Sequence, residues 1–335
     1  MSQVRVGVIG LGVGREHAAG FARIPGCRVQ VLCDLSAATL QKVGGQFPGA
    51  RLTREAGEVL AAADVDLVSI ATYDDTHAPL VVGALERGKH VFVEKPLCCD
   101  PAELAQIRRA WEGAGGRLQL AANLVLRSAP LYLWLRERVR AGDFGRLYAF
   151  DGEYLYGRLH KITEGWRGQV EGYSVMAGGG IHLLDLFLWL TGERPGRVCA
   201  AGNHIATEGT GFRYDDFAAA TFECPSGVVA RIAANFGCVH PHQHVVRVFG
   251  TEATFVYDDA GARWHRSRDP QAGAQPLDLS PRPETKGQLL PCFVAAVRGG
   301  RDLGAETRAC FDTLSAVFAS DAARQTRTWK DIVYL

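Results

Sequence analysis

A short apolar run, Val4-Arg5-Val6-Gly7-Val8-Ile9, leads at once into Gly10-Leu11-Gly12-Val13-Gly14 and then into a helix-like stretch. No other segment restricts the possible folds so tightly. The run reads as a buried parallel strand. The first glycine permits a tight turn, the second lets a pyrophosphate approach the backbone, and the helix start turns its amides toward the anion. This predicts a dinucleotide cradle built from Gly10, Leu11, Gly12, Val13 and Gly14. The common spacing is G-x-G-x-x-G, and Arg15 stands where the third glycine falls. A glycine motif alone is a weak signal, and the acid downstream strengthens it. Residues 29–33 read as a second strand closed by Asp34, which lies 24 positions after Gly10. That is near the spacing of a carboxylate gripping an adenosine ribose. The competing role for Asp34 is to cap the helix beginning at Ser36.

With 335 residues the chain fits two domains and buries a large core. Its 47% hydrophobic and 22% charged content is that of an ordinary soluble protein. A net charge of +1 without a long basic run gives no footprint for nucleic acid or an anionic membrane. The opening segment lacks the layout of a signal peptide, and no stretch approaches the roughly 20 apolar residues of a membrane span. The nine cysteines are scattered without a C-x-x-C pair, which argues against a disulfide framework. A reduced cytoplasm is the expected compartment.

Strand-like runs at 4–9, 29–33, 66–72, 90–96 and 118–122 alternate with helical ones at 14–24, 36–46, 76–87 and from 101. Asp100-Pro101-Ala102-Glu103 supplies a cap, a proline and an acid in the order of a helix start. Such alternation predicts an α/β fold with a parallel, doubly wound Rossmann sheet over residues 1–123. The pattern changes after Asn123. Beyond a helix at 130–140, strand-like runs dominate at 147–156, 198–203, 217–222, 228–235, 245–249 and 254–257. Helices are expected at 181–190, 286–298 and 304–323. Residues 124–335 thus read as an α+β domain with a large, mostly antiparallel open sheet. It is expected to bind substrate and mediate oligomerisation, its C-terminal segment being able to pack back on the first domain. Residues 266–286, rich in proline and polar groups, read as a mobile loop.

Glu94-Lys95-Pro96 at a strand end, together with GGGIHLLDLFLWLTG and FGTEATF, resembles the glucose–fructose oxidoreductase / inositol dehydrogenase / rhizopine-catabolism (Gfo/Idh/MocA) family nearly end to end. The resemblance implies an oxidoreductase acting on a CH–OH group of a sugar, cyclitol or nucleotide sugar, with NAD or NADP. It also implies a homodimer or homotetramer formed through the open sheet. Gly14, three residues before His17, matches the family's third glycine in a loop one residue shorter. The loop after the third strand usually reads T-P-x-x-x-H; here it is Thr72-Tyr73-Asp74-Asp75-Thr76-His77. The second catalytic segment usually reads D-x-x-x-H; His182 matches the histidine, but Gly178 stands at the aspartate. The resemblance implies cofactor contacts from Ala71, Thr72, Tyr73, His77, Glu94, Lys95, Asn123 and Arg167, beside the glycine turn and Asp34. It implies substrate contacts from Lys95, Tyr156, Trp166, Tyr173, His182 and Asp185.

Hydride transfer from a secondary alcohol needs a proton acceptor and a group that stabilises charge on oxygen. Lys95, at a strand's carboxyl end, and His182, whose pKa class suits a proton shuttle, are the expected catalytic residues. Asp185, three residues on, either fixes a substrate hydroxyl or orients His182. With Gly178 in place of a carboxylate, three possibilities stand. Lys95 and His182 suffice, Tyr156 or Tyr173 supplies a further donor, or the protein binds without reacting. Gly178→Asp is expected to be tolerated. His240-Pro241-His242-Gln243-His244 invites a metal reading, but Pro241 and the lack of a fourth ligand favour a pocket-lining loop. No metal is expected. Asp34 followed by Leu35-Ser36-Ala37-Ala38 predicts NAD over NADP. The alternatives are a glycoside-cleaving relative that uses NAD transiently and a non-catalytic cofactor-bound sensor.

Overall fold

The structure, a computed structural model, describes residues 3–335. The chain forms two compact units. One holds the chain up to Val125 with Glu284–Phe311 and Leu335; the other holds Leu126–Pro283 with Asp312–Tyr334.

The first unit alternates strictly. It runs β1 (Val4–Ile9), α1 (Gly14–Ala22), β2 (Cys27–Cys33), α2 (Ala37–Gly44), β3 (Arg51–Thr53), α3 (Ala56–Ala61), β4 (Leu67–Ile70), α4 (His77–Glu86), β5 (His90–Val93), α5 (Pro101–Gly113) and β6 (Leu120–Ala122). All six strands are parallel, in the order β3-β2-β1-β4-β5-β6. All four residues of β4 and three of the four in β5 are buried, as expected of strands covered on both faces. The helix starts follow the sequence signals. Ser36 accepts from the Thr39 amide at 3.2 Å, and Asp100 accepts from the Glu103 amide at 2.9 Å. The sequence reading missed β3 and α3. Arg51-Leu52-Thr53 is too short and too polar to announce itself, and only pairing with β2 makes it a strand.

The second unit begins with α6 (Pro130–Arg140), β7 (Leu147–Leu155) and a short helix, α7 (His160–Thr163). A π-helical turn, Met176–Gly180, then runs into α8 (Ile181–Thr191). The strands β8 (Arg197–Asn203), β9 (Phe217–Glu223), β10 (Val229–Asn235), β11 (Gln243–Gly250), β12 (Thr254–Asp258), β13 (Gly261–His265) and β14 (Gln275–Leu277) follow. Two helices, α9 (Leu290–Val297) and α10 (Gly304–Thr326), and a short strand, β15 (Lys330–Asp331), close the chain. The nine strands order as β14-β13-β12-β11-β7-β10-β9-β8-β15. β7 and β10 pair in parallel; the other neighbours are antiparallel, so the sheet is mixed. The sequence reading lacked β13, β14 and β15. One of them, β14, lies inside the stretch read as loop.

α8 is apolar nearly all round and buried from Ile181 to Leu188. It lies on the sheet through Phe187 against Phe150, ring centres 5.4 Å apart, and through Leu183 over Gly152. Ala230, Ile232 and Ala234 of β10 are buried. The alternate residues include exposed Arg231, which grips Asp151 of β7 with two nitrogens. Arg247 reaches Glu153 at 3.3 Å. The other face of the sheet is therefore laced with ion pairs among small residues. Alternation along β10 sends every second side chain inward, so this face is not the continuous apolar one that a homo-oligomer through the open sheet would suggest. Among the described residues no helix is long and apolar enough to cross a membrane.

Candidate active site

In the first unit the glycines of the β1–α1 turn do different work. Gly10 has φ +84, and a Cβ there would stand 2.5 Å from the Ala71 carbonyl oxygen, so only glycine fits. Around Gly12 nothing would meet a Cβ within 4 Å, which leaves its backbone open to a ligand. A Cβ on Gly14 would press on Val8 and Ala71 at 3.1 and 3.2 Å, so this glycine lets α1 close on β1 and β4. Asp34 accepts from the Leu11 amide at 2.8 Å and from the Ser36 amide at 2.8 Å. Its carboxylate thus lies against the glycine turn and also steadies the chain before α2, while Ser36 is the N-cap proper. Arg54, from the loop after β3, donates to the Leu35 carbonyl at 2.9 Å. It ties a cation to the residue after Asp34, which the local sequence did not reveal because β3 itself was missed.

Lys95 and its cis bond to Pro96 follow β5. Beneath them lies a buried polar network. Glu94 Oε1 accepts from Asn123 Nδ2 at 2.8 Å and meets His17 Nε2 at 3.1 Å, and His17 Nδ1 meets Ser69 Oγ at 3.0 Å. Asn123 also donates to the Lys286 carbonyl at 3.1 Å. Burial alone would raise Glu94, but the hydrogen bond and charge of His17, the Asn123 amide and Lys95 together hold it down to about 2. Ionised and acceptor-only, it requires His17 Nε2 to be the donor. His77 is fully buried and its Nδ1 donates to the Pro96 carbonyl at 2.7 Å. Cofactor contacts were expected of His77, Glu94 and Asn123. In the structure these side chains hydrogen-bond within the unit and brace the segment that carries Lys95, while His77 Nε2 and Asn123 Oδ1 stay buried without a partner. Thr72 accepts from Thr76 at 2.7 Å, and Tyr73 is 53% exposed.

The second unit gathers an aromatic and imidazole wall. Tyr154 stacks on Tyr156 with ring centres 5.7 Å apart and lies 6.1 Å from the His182 ring. His182, Tyr156 and Tyr173 are all buried. The glycines before His182 make room for this wall. A Cβ on Gly178 would stand 2.2 Å from the Tyr173 hydroxyl, and one on Gly179 would stand 2.4 Å from the Tyr154 ring. The Tyr173 hydroxyl thus fills the place where a side chain at 178 would begin, one helical turn before His182. This corrects the expectation that Gly178→Asp is tolerated: a stiff, buried ring stands in the way. Asp185 is 1% exposed, and Arg127 holds both its oxygens, at 2.9 and 2.5 Å. It anchors Arg127, which differs from the substrate or His182 contact expected of it. Arg167 stacks on Trp166 at 4.5 Å.

The histidine-rich stretch divides. His240 pairs with Asp259 at 3.1 Å, and hydrogen bonding to that carboxylate raises its pKa. His242 and His244 turn to Tyr154, each with its ring centre 5.1 Å away. Among the described residues no three His, Cys, Asp or Glu side chains are arranged to hold a metal. Sequence reasoning left out Tyr154, Phe236 and Arg127. Strand alternation from Tyr156 back to Tyr154 was the available signal for the first.

Comparison with known proteins identifies the family of both domains. Residues 4–122 match the oxidoreductase family with an NAD-binding Rossmann fold, and residues 132–256 match the GFO/IDH/MocA C-terminal domain. Inositol 2-dehydrogenase 4 of Saccharopolyspora erythraea is 27% identical over 332 residues, covering 97% of this chain and 94% of that protein. The inositol 2-dehydrogenase of Rhodococcus erythropolis is 34% identical over 145 residues, 43% of this chain and 42% of its own. Among solved structures, levoglucosan dehydrogenase in complex with NADH superposes with a TM-score of 0.86 at 19% identity, covering all of both chains. The myo-inositol 2-dehydrogenase of Lactobacillus plantarum gives 0.82 at 17%, over 99% of this chain and 100% of that one. At such identities the superpositions speak to the fold. With both domains matched in order, the chain belongs to the Gfo/Idh/MocA family of oxidoreductases with an NAD-binding Rossmann fold.

Proposed function

We propose that the chain moves a hydride between NAD and a secondary alcohol carbon of a neutral ring polyol, a cyclitol or monosaccharide. One observation carries the reading. Lys95 and the Gly10–Gly14 turn follow β5 and β1, two strands apart in one parallel sheet, so both stand at its carboxyl edge, about 10 Å apart by strand spacing. A dinucleotide is long enough to span such a distance; the backbone at Gly12 would hold its pyrophosphate, and Lys95 would serve the end that exchanges hydride. The inositol 2-dehydrogenase relatives supply the substrate class.

NAD, when bound, accepts the hydride. The chain's own residues do the rest. The amides at the start of α1 would hold the pyrophosphate, Asp34 would take the ribose hydroxyls, and Ala71, Thr72 and Tyr73 would border the cofactor. Lys95 stabilises the charge that develops on the substrate oxygen, and His182 receives its proton. The Tyr173 hydroxyl stands in for the missing carboxylate as a further donor. Tyr156 and Trp166 contribute substrate contacts, and Arg167 a cofactor contact. Asp34 repels a 2′-phosphate, which favours NAD over NADP. The ion-paired outer sheet face, lined by Ala219, Ala233 and Trp329, supports assembly into a homo-oligomer.

The test is to incubate the protein with NAD and myo-inositol, scyllo-inositol, levoglucosan, D-glucose or D-xylose and follow nicotinamide absorbance. NADH is expected to accumulate in step with ketone for at least one of them. NAD binding without NADH from any would contradict the reading. Light scattering at micromolar concentration should give a multiple of the 36.2 kDa chain.

A further inference from the structure

His244 of the histidine-rich stretch faces His182 as well as Tyr154. In β11 it sits opposite Tyr154 of β7, and its ring centre lies 5.7 Å from that of His182. It is 9% exposed, and its Nε2 is buried without a hydrogen-bond partner. Burial, with His242 and Arg282 nearby, lowers its pKa to about 3, so the ring is neutral in ordinary buffers. A buried nitrogen without a partner destabilises a fold, and a phenyl ring would fill the same space without that penalty. The arrangement makes sense when a ligand supplies the missing partner. A neutral imidazole offers one donor and one acceptor nitrogen. A hydroxyl, which both donates and accepts, satisfies Nε2 in either tautomer, whereas a carboxylate or phosphate satisfies only one.

We propose that His244 is a substrate-recognition residue whose Nε2 hydrogen-bonds a ring hydroxyl of the polyol, beside the hydroxyl handled by His182. The identity of the ligand rests on the dehydrogenase reading; the role of His244 rests on its burial, its orphaned nitrogen and its place beside His182.

Two variants test it. His244→Phe keeps the ring and removes the hydrogen bond; His244→Gln returns a polar group. Dissociation constants for NADH, and for the five polyols above in the NADH complex, are measured by nicotinamide fluorescence, with Tm measured in parallel. For each polyol that binds the wild type, His244→Phe should weaken binding about tenfold, while His244→Gln stays within about threefold of wild type. NADH affinity should stay unchanged, and the Phe variant should melt at a higher temperature than wild type, since it loses an unsatisfied buried group. A histidine with a structural role would do the opposite, lowering Tm and leaving polyol affinity alone. Wild-type polyol affinity in His244→Phe, equal losses in both variants, or no binding of any polyol to the wild type would each overturn the proposal. Because binding is read at equilibrium, polyol binding without turnover would count against the dehydrogenase reading and leave the role of His244 intact.

Discussion

The two units present their candidate residues in different ways. In the first unit the cradle is made of backbone: a glycine with positive φ, an open amide stretch and a carboxylate that accepts from the turn itself. In the second unit the wall is made of side chains brought from β7, β11, the start of α8 and the residue after β10, packed ring against ring. A backbone site depends on a few neighbouring residues and tolerates little change among them. A side-chain site depends on packing across distant strands and can be rebuilt by compensating changes. The contrast predicts that substitutions in the second unit can be rescued by a partner, and those in the cradle cannot.

The largest effect is expected where the wall is most crowded. Gly178→Asp should lower Tm and cut turnover at least about a hundredfold, since overpacking displaces Tyr173 beside His182. Combining it with Tyr173→Ala should recover a substantial part of both, as coupled neighbours do. Failure of the double variant to exceed the single one in turnover or Tm would show that the clash is not the cause. His182→Ala should reduce kcat by about tenfold to a hundredfold with NAD affinity unchanged, less than a loss at Lys95, because the Tyr173 hydroxyl remains.

The cradle should respond in binding rather than in turnover. Asp34→Ala is expected to weaken NAD about tenfold and to narrow the gap to NADP, because it removes the carboxylate that repels a 2′-phosphate and leaves Arg54, held on the Leu35 carbonyl, as the local charge. The further change Arg54→Ala should remove that gain in NADP binding. Tighter NADP than NAD binding in the wild type would contradict the assigned preference.

The smallest effect concerns acid stability. Glu94 is held down to about 2 when folded, below the usual glutamate value of about 4.3. A depressed folded pKa contributes stability that is fully present above the unfolded pKa and lost as pH falls through the folded one. Glu94→Gln should therefore melt earlier than the wild type at neutral pH, and the two melting curves should converge as pH falls from about 4.5 toward 2. Parallel curves across that range would show that the His17–Glu94–Asn123 network is not ionised as described.

The same contrast explains what the sequence revealed. The cradle, the strand alternation of the first unit and the helix starts at Ser36 and Asp100 were readable because each depends on local spacing. The position of Lys95 at the end of β5 was readable from Glu94 and Pro96 beside it. The roles of His77, Glu94 and Asn123 as internal supports were not, since their partners lie at His17, Ser69, Pro96 and Lys286. Asp185 was misjudged for the same reason: its partner, Arg127, lies 58 positions away. The division of His240, His242 and His244 depends on which of them enters β11, and only pairing with β7 decides that. Strands such as β3 and β15 carry too few apolar residues to be seen before their neighbours are in place.

Lys95 carries the central claim, that the chain performs hydride transfer with a lysine at the carboxyl edge of its parallel sheet. The direct measurement is NAD affinity and kcat for Lys95→Met on whichever polyol the wild type oxidises. Methionine keeps most of the stem and removes the charge. NAD affinity should stay within about threefold of wild type while kcat falls at least about a hundredfold, the scale of a lost acid–base or oxyanion contact. Wild-type turnover in Lys95→Met would contradict the mechanism and return the chain to a cofactor-bound protein without this chemistry.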